Sequence, residues 1–231
     1  MRMIKVYSYS GKGKREANED YIKSEMLSDS VSLHIVADGM GGYQFGEVAS
    51  QIATESIFQF FAENTIEGDI RALIQRAVEF ANNRILSERT KRQAKLGTTL
   101  AGILIVDQRA YVFWLGDVRI EHLRESKQIF LSESHSLIND KRNNGVVSSK
   151  DMERYKHIVT RSLSGRPLES PLPVVEIQLR QGDNIIISSD GLYNSIIPAS
   201  LIKFRDFEID EKLLELEREN KDNISIIIVY I

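Results

Sequence analysis

The chain has 231 residues, 42% hydrophobic and 27% charged, with a formal net charge of −3. That is enough for one core-forming domain, and it lacks the basic excess that marks a nucleic-acid partner. Cysteine is absent, which excludes disulfides, thiolate metal sites and cysteine nucleophiles and fits a reducing cytoplasm. The opening segment MRMIKVYSYSGKGKR lacks the apolar run of a secretory signal, and no window approaches the roughly 20 apolar residues of a membrane span.

Taken in chain order, strands are predicted over 3–9, 20–26 and 32–37, the last two joined by the turn-rich LSDSV. Two helices follow. Ala49, Ile52, Ala53, Ile57 and Phe60 recur at helical spacing within 46–63, and Ile70, Leu73, Ile74, Ala77, Ala81 and Ile85 do so within 68–92. TTLAGILIV and AYVFWLGD flank the turn DQR, and RIEHLR and QIFLS flank ESK, so both pairs read as antiparallel hairpins. Several of these strands are nearly continuous apolar runs, a sign of burial on both faces. Two sheets packed together, each covered outside by helices, produce that pattern.

Residues 137–160 are polar and break the strand rhythm, so a flap over a site is expected there. Strands resume at 173–180, 184–189 and 223–230, and the charge-rich 210–221 segment is expected to be a solvated helix face. The closing run NISIIIVYI reads as a strand reaching the terminus, an arrangement expected to leave no room for a regulatory tail.

The first hairpin carries the functional argument. If DYIKSEM and SLHIVAD pair about a turn near Ser28 to Ser30, Asp20 lies opposite Asp38 with Glu19 beside it, because adjacent antiparallel strands share an edge. DNIIISSDG places Asp190 and Gly191 after another apolar strand, and Asp222 opens the terminal one. Were the two edges to meet, the carboxylates would repel and raise one another's pKa unless cations neutralised them. Hard Mg²⁺ or Mn²⁺ suits such an all-oxygen site, and a glycine after the aspartate lets backbone approach closely. Asp-Gly pairs also occur at ordinary strand ends and turns, and both readings stand at this point.

REANED (15–20), VADGMGG (36–42), GTT (97–99), GDVR (116–119), TRSL (160–163), SSDGLYN (188–194) and DN (222–223) occur in an order and spacing that resembles the type 2C metal-dependent serine/threonine phosphatases. The resemblance implies an α+β fold, a four-layer αββα sandwich of two mainly antiparallel sheets flanked by helices, as a single catalytic domain over 1–231. It implies two Mn²⁺ or Mg²⁺ ions. Asp38 would bridge both, the Gly39 carbonyl would bind one, Asp190 and Asp222 would complete the other's shell, and Glu19 and Asp20 would serve directly or through water. Arg15 matches the phosphate-binding arginine. Hydrolysis would then proceed through a metal-bridging hydroxide with no phosphoenzyme. Thr98, Thr99, Asp117 and Arg119 are expected to brace strand ends by hydrogen bonds, although Val118 stands where the motif usually has serine.

Departures from the pattern carry expectations of their own. Ser134 in LSESHS and Asn194 replace two aspartates that hold a third metal in the family. That metal is therefore expected to be weak or absent, with Glu133 as a candidate substitute. Met40 stands where some relatives carry a general-acid histidine and cannot donate a proton. His135 is expected to make an ordinary hydrogen bond, and His34, His122 and His157 have no motif support. Arg161 either steers phosphate or caps the flap, and Ser164 replaces a glycine at the flap's exit.

The expected partners are phosphoproteins, including a serine/threonine kinase or its targets, with no nucleic acid and no membrane, for a cytoplasmic monomer. A regulatory binding module on the same fold, and a hydrolase of another phosphoester, are the competing readings. The acidic balance and the lack of an aromatic base platform weigh against a nucleotide substrate.

Overall fold

In the computed structural model, which describes residues 4–40, 45–143, 145, 148, 155 and 158–231, the apolar runs form two five-stranded antiparallel sheets. One sheet holds β2 (Asp20–Ser28), β3 (Val31–Asp38), β4 (Leu100–Val106), β5 (Arg109–Leu115) and β8 (Val174–Gln178), in that order. The other runs β1 (Lys5–Gly11), β10 (Ile224–Tyr230), β9 (Asn184–Ser188), β6 (Arg119–Arg124) and β7 (Lys127–Leu131).

Three hydrophobic clusters explain why so many strands are apolar on both faces. β4 sends Ala101, Ile103 and Ile105 between the sheets, where they meet Ile185, Ile187, Ile227 and Val229. Its alternate residues Leu100 and Leu104 face α1 (Gly46–Glu63) and α2 (Ile70–Arg92) with Leu33, Ile57 and Ile74. On the far side, Ile224, Ile226 and Ile228 of β10 pack against Ile209 and Leu213 of a further helix, Asp206–Glu219. Period-two alternation thus serves two cores from one strand, and the layers stack helix, sheet, sheet, helix.

The segment expected as a solvated helix face differs in one respect. The helix begins earlier, at Asp206, and its inner stripe of Ile209 and Leu213 is fully buried. Tyr7 and Tyr9 of β1 fix it by donating hydrogen bonds to Asp210 and Glu217 at 2.7 and 2.5 Å. Of the expected flap, Leu137–Asn143 forms a short helix, α3, and most of 144–157 lies outside the described residues.

Candidate metal centre

The register of the first hairpin pairs Asp20 directly with Asp38. In the second sheet β9 and β10 are antiparallel neighbours, so Asp190, after β9, and Asp222, before β10, lie at one edge of it. The two edges meet. Asp38 feels the charges of Asp20, Asp190, Asp117 and Asp222, and Asp20 those of Asp190 and Asp222. One side chain stitches the junction. The Asn223 amide accepts from the Glu19 N–H at 2.9 Å and donates to the carbonyls of Lys12 and Ala17 at 2.8 and 3.0 Å. Asn223 lies within the DN motif, and its signal was an amide, which can donate and accept at once, placed at a junction of loops.

Close backbone approach accounts for two glycines. A Cβ on Gly39 would lie 2.3 Å from the Gly46 carbonyl oxygen, at the start of α1, and 2.8 Å from that of Glu19. A Cβ on Gly191 would come within 2.0 Å of the Asn223 carbonyl oxygen. The threonines hold Asp38 from behind: Thr98 Oγ1 donates to its carbonyl at 2.9 Å, and the Asp38 N–H donates to Thr99 Oγ1 at 3.1 Å.

Electrostatically the site is under-neutralised. Burial is the main cause raising the carboxyls of both Asp38 and Asp20, with the neighbouring acids adding to it; Asp20 is pushed up to about 7. Asp20 is 6% exposed, and among the described residues both its carboxylate oxygens lack a hydrogen-bond partner, although the Ser189 and Ser225 hydroxyls lie close enough to favour its charged form somewhat. Burial raises Glu19 as well, against the opposing charge of Arg15. Orphaned buried oxygens among mutually repelling carboxylates, with no sulfur or imidazole in the set, are a donor set suited to a hard divalent cation.

Among the described residues, no three acidic or histidine side chains converge tightly enough to grip one ion as they stand. Asp222 is engaged elsewhere. Arg15 Nε and Nη2 donate to its two carboxylate oxygens at 3.0 and 2.9 Å. The residue assigned from sequence to phosphate is thus forked onto a residue assigned to metal.

Ser134 and Asn194, the two replacements for third-metal acids, line one cleft of about 400 Å³ together with Asp190, Arg119, Asn139 and Tyr193. Glu133 is exposed and does not line it. Arg119 engages its neighbour by stacking, its guanidinium 3.7 Å from the centre of the Tyr193 ring, and the Tyr193 hydroxyl donates to the Asp117 carbonyl at 3.0 Å. Asp117 therefore braces through its backbone.

The histidines fall into structural settings. His135 accepts the Gly116 N–H at Nδ1 (3.1 Å) and stacks on Trp114, and burial, reinforced by Arg161, lowers it to about 4. Burial likewise lowers His34, held between Ser24 and Ser32, to about 4. His122 sits against Asp183 at the opposite end of the sheet, and His157 lies outside the described residues. Arg161 donates to the carbonyls of Ser170 and Pro171 at 2.8 and 2.9 Å, so it caps the chain that follows the flap. Met40 places its backbone N–H on Gly97 and has no proton to offer from its side chain.

Two facing sheets whose strand tips gather carboxylates at one end define an αββα sandwich with an acidic cluster suited to a hard cation between its sheets. Residues 10–221 match the family profile described as Protein phosphatase 2C. The protein phosphatase PhpP of Streptococcus pneumoniae is 28% identical over 228 residues, spanning 94% of this chain and 92% of that protein. Among solved structures, the serine/threonine phosphatase of S. agalactiae superposes with a TM-score of 0.86 at 27% identity, covering 99% of this chain and all of that one. The catalytic domain of serine/threonine protein phosphatase PstP in complex with two manganese ions does so at 0.81 and 25% identity, covering 98% and 97%. The chain belongs to the protein phosphatase 2C family.

Proposed function

We propose that the protein hydrolyses phosphoserine and phosphothreonine in proteins at a centre holding two Mn²⁺ or Mg²⁺ ions. The observation that carries this reading is the meeting of Asp20 and Asp38 from one sheet with Asp190 and Asp222 from the other, with both buried oxygens of Asp20 lacking a hydrogen-bond partner among the described residues. Asp38, Asp190 and Asp222, with the Gly39 carbonyl and the Glu19–Asp20 pair, would hold the ions. Bound there, divalent cations supply a water of lowered pKa and an electrostatic clamp on the phosphoryl group. The manganese-bound PstP domain supports the choice of metal.

The remaining steps belong to the chain's own side chains. Arg15 presents a planar fork able to grip two phosphate oxygens once released from Asp222. Thr98 and Thr99 hold the Asp38 backbone so that its carboxylate keeps its aim. Met40 at the strand tip has no proton to give the leaving group, and water would supply it. The reading extends to one catalytic domain over 1–231, a cytoplasmic monomer, and substrates phosphorylated by a serine/threonine kinase. Among the described residues no helix is long and apolar enough to cross a membrane.

Turnover of an aryl phosphate and a phosphothreonine peptide across a Mn²⁺ titration tests the reading. Activity should appear with metal, and Asp38→Asn should abolish it while leaving the circular dichroism spectrum unchanged. Folded protein that is silent at every Mn²⁺ concentration, or an active Asp38→Asn, overturns it.

A further inference from the structure

The β9–β10 ladder stops short of the aspartates that flank it. Its last strand pair is Ile226↔Ser188, and one further rung joins Ser189 to Ser225. Asp190 and Asp222 lie beyond that rung on opposite chains, where regular pairing no longer sets their separation.

One side chain spans the gap. Asn220 ends the helix Asp206–Glu219, its N–H still donating to the Leu216 carbonyl at 2.9 Å and its own backbone already extended. Its amide oxygen accepts from the Asp222 N–H at 3.0 Å, an Asx turn that fixes the backbone leading into Asp222. Its amide nitrogen donates to the Gly191 carbonyl at 2.9 Å and to Ser195 Oγ at 2.8 Å. Ser195 Oγ donates in turn to the same Gly191 carbonyl at 2.8 Å, which closes a triangle. Both N–H donors of the amide and its oxygen are therefore in use, and a flipped amide would set oxygen against carbonyl and N–H against N–H.

The segment is also backed from the other side. The Asn220 carbonyl accepts the Lys14 N–H at 2.9 Å. Gly13 sits at φ +63°, where a Cβ would lie 2.2 Å from the Asp222 carbonyl oxygen and 3.0 Å from that of Asn220. Pressed there by backbone, residues 220–222 have little freedom except toward or away from Gly191, and that is the direction the Asn220 amide controls. Asn220 lies outside every motif that carries the family resemblance.

We propose that Asn220 is a positioning residue of the metal centre: acting through the Gly191 and Asp222 backbones, it sets the separation of Asp190 from Asp222. The proposal rests on the two-ion reading above. A pair of ligands held apart correctly before the ion arrives costs less ordering on binding, so the effect falls on metal affinity.

Titration calorimetry with Mn²⁺, beside metal-free thermal unfolding, tests this in the wild-type protein, Asn220→Ala, Asn220→Ser and Ser195→Ala. Loss of two neutral hydrogen bonds to the Gly191 side predicts about tenfold weaker Mn²⁺ binding by folded Asn220→Ala. Its turnover of an aryl phosphate should fall at low Mn²⁺ and recover as Mn²⁺ is raised. Serine keeps an acceptor for the Asp222 N–H but is too short to reach Gly191. Asn220→Ser should therefore unfold at a higher temperature than Asn220→Ala yet bind Mn²⁺ as weakly. Ser195→Ala, which opens the triangle and leaves the Asx turn intact, should weaken binding about threefold. Wild-type Mn²⁺ affinity in Asn220→Ala or Asn220→Ser overturns the proposal and leaves Asn220 a helix cap. Should both fail to fold, wild-type affinity in Ser195→Ala overturns it. A folded wild-type protein that binds no Mn²⁺ instead overturns the metal-centre reading beneath it.

Discussion

Removing Arg15 should move two measurements in opposite directions. Its guanidinium is forked onto Asp222 by bonds of 3.0 and 2.9 Å, with the two side chains 45% and 38% exposed. An ion pair so exposed contributes about 1 kcal/mol at most, the upper end being reached because the contact is bidentate. A cation that recruits Asp222 must break the pair, so Arg15→Ala should tighten Mn²⁺ binding by roughly fivefold. The same substitution removes a charged fork from phosphate, a loss of about 1.5–3 kcal/mol, and should raise KM for an aryl phosphate roughly 10- to 100-fold. Isothermal titration with Mn²⁺ in phosphate-free buffer reads the first effect and steady-state kinetics the second. Arg15→Lys keeps the charge but loses the fork and should fall between the two. Mn²⁺ affinity that is unchanged or weaker in Arg15→Ala would refute competition for Asp222.

The buried acids make stability depend on pH in a set direction. Asp20, raised to about 7 chiefly by burial, keeps in the folded state a proton that the unfolded chain loses near its ordinary value of about 3.9. Metal-free stability should therefore fall as pH rises from about 4 to about 7 and level off above. Mn²⁺ should accordingly raise Tm more at about pH 8 than at about pH 5.5; equal gains would contradict this. Gly191→Ala, whose Cβ would press on the Asn223 carbonyl at 2.0 Å, should separate the strand tips and weaken Mn²⁺ binding at least tenfold by titration calorimetry. At the far end of the sheet, burial would raise Asp183, but the Arg124 fork (both bonds 2.8 Å), with Arg180 and His122, outweighs it and holds the carboxyl at about 2. Asp183→Asn should cost about 3 kcal/mol in urea unfolding while leaving kcat per folded molecule unchanged.

Elements fixed by local periodicity were legible in the sequence. α1 spans the predicted 46–63, and the Asp20–Asp38 pairing follows from strand alternation and a short turn. The convergence of the two sheet edges was not legible, because no local rule brings Asp222 beside Asp20. The Arg15–Asp222 fork and the Arg119–Tyr193 stack also escaped, since they join side chains distant in sequence that choose partners only once the sheets have packed. Charge counting hid the inner stripe of the helix at 206–219: two fully buried residues anchor it, while glutamates and aspartates make up half of its composition.

The β2–β3 hairpin also has an arithmetic consequence. Its register holds from Asp20↔Asp38 to Met26↔Ser32, then jumps to Ser28↔Val31, so Leu27 is an uncounted residue opposite no partner. That bulge sits beside the turn, while the carboxylates sit at the other end of the ladder. Pairing Leu27 with Ser32, instead of leaving it out of the ladder, would advance one strand past the other by a single step, setting Tyr21, rather than Asp20, across from Asp38. One spare leucine at the distant rim thus acts as the spacer that keeps the chemistry in phase.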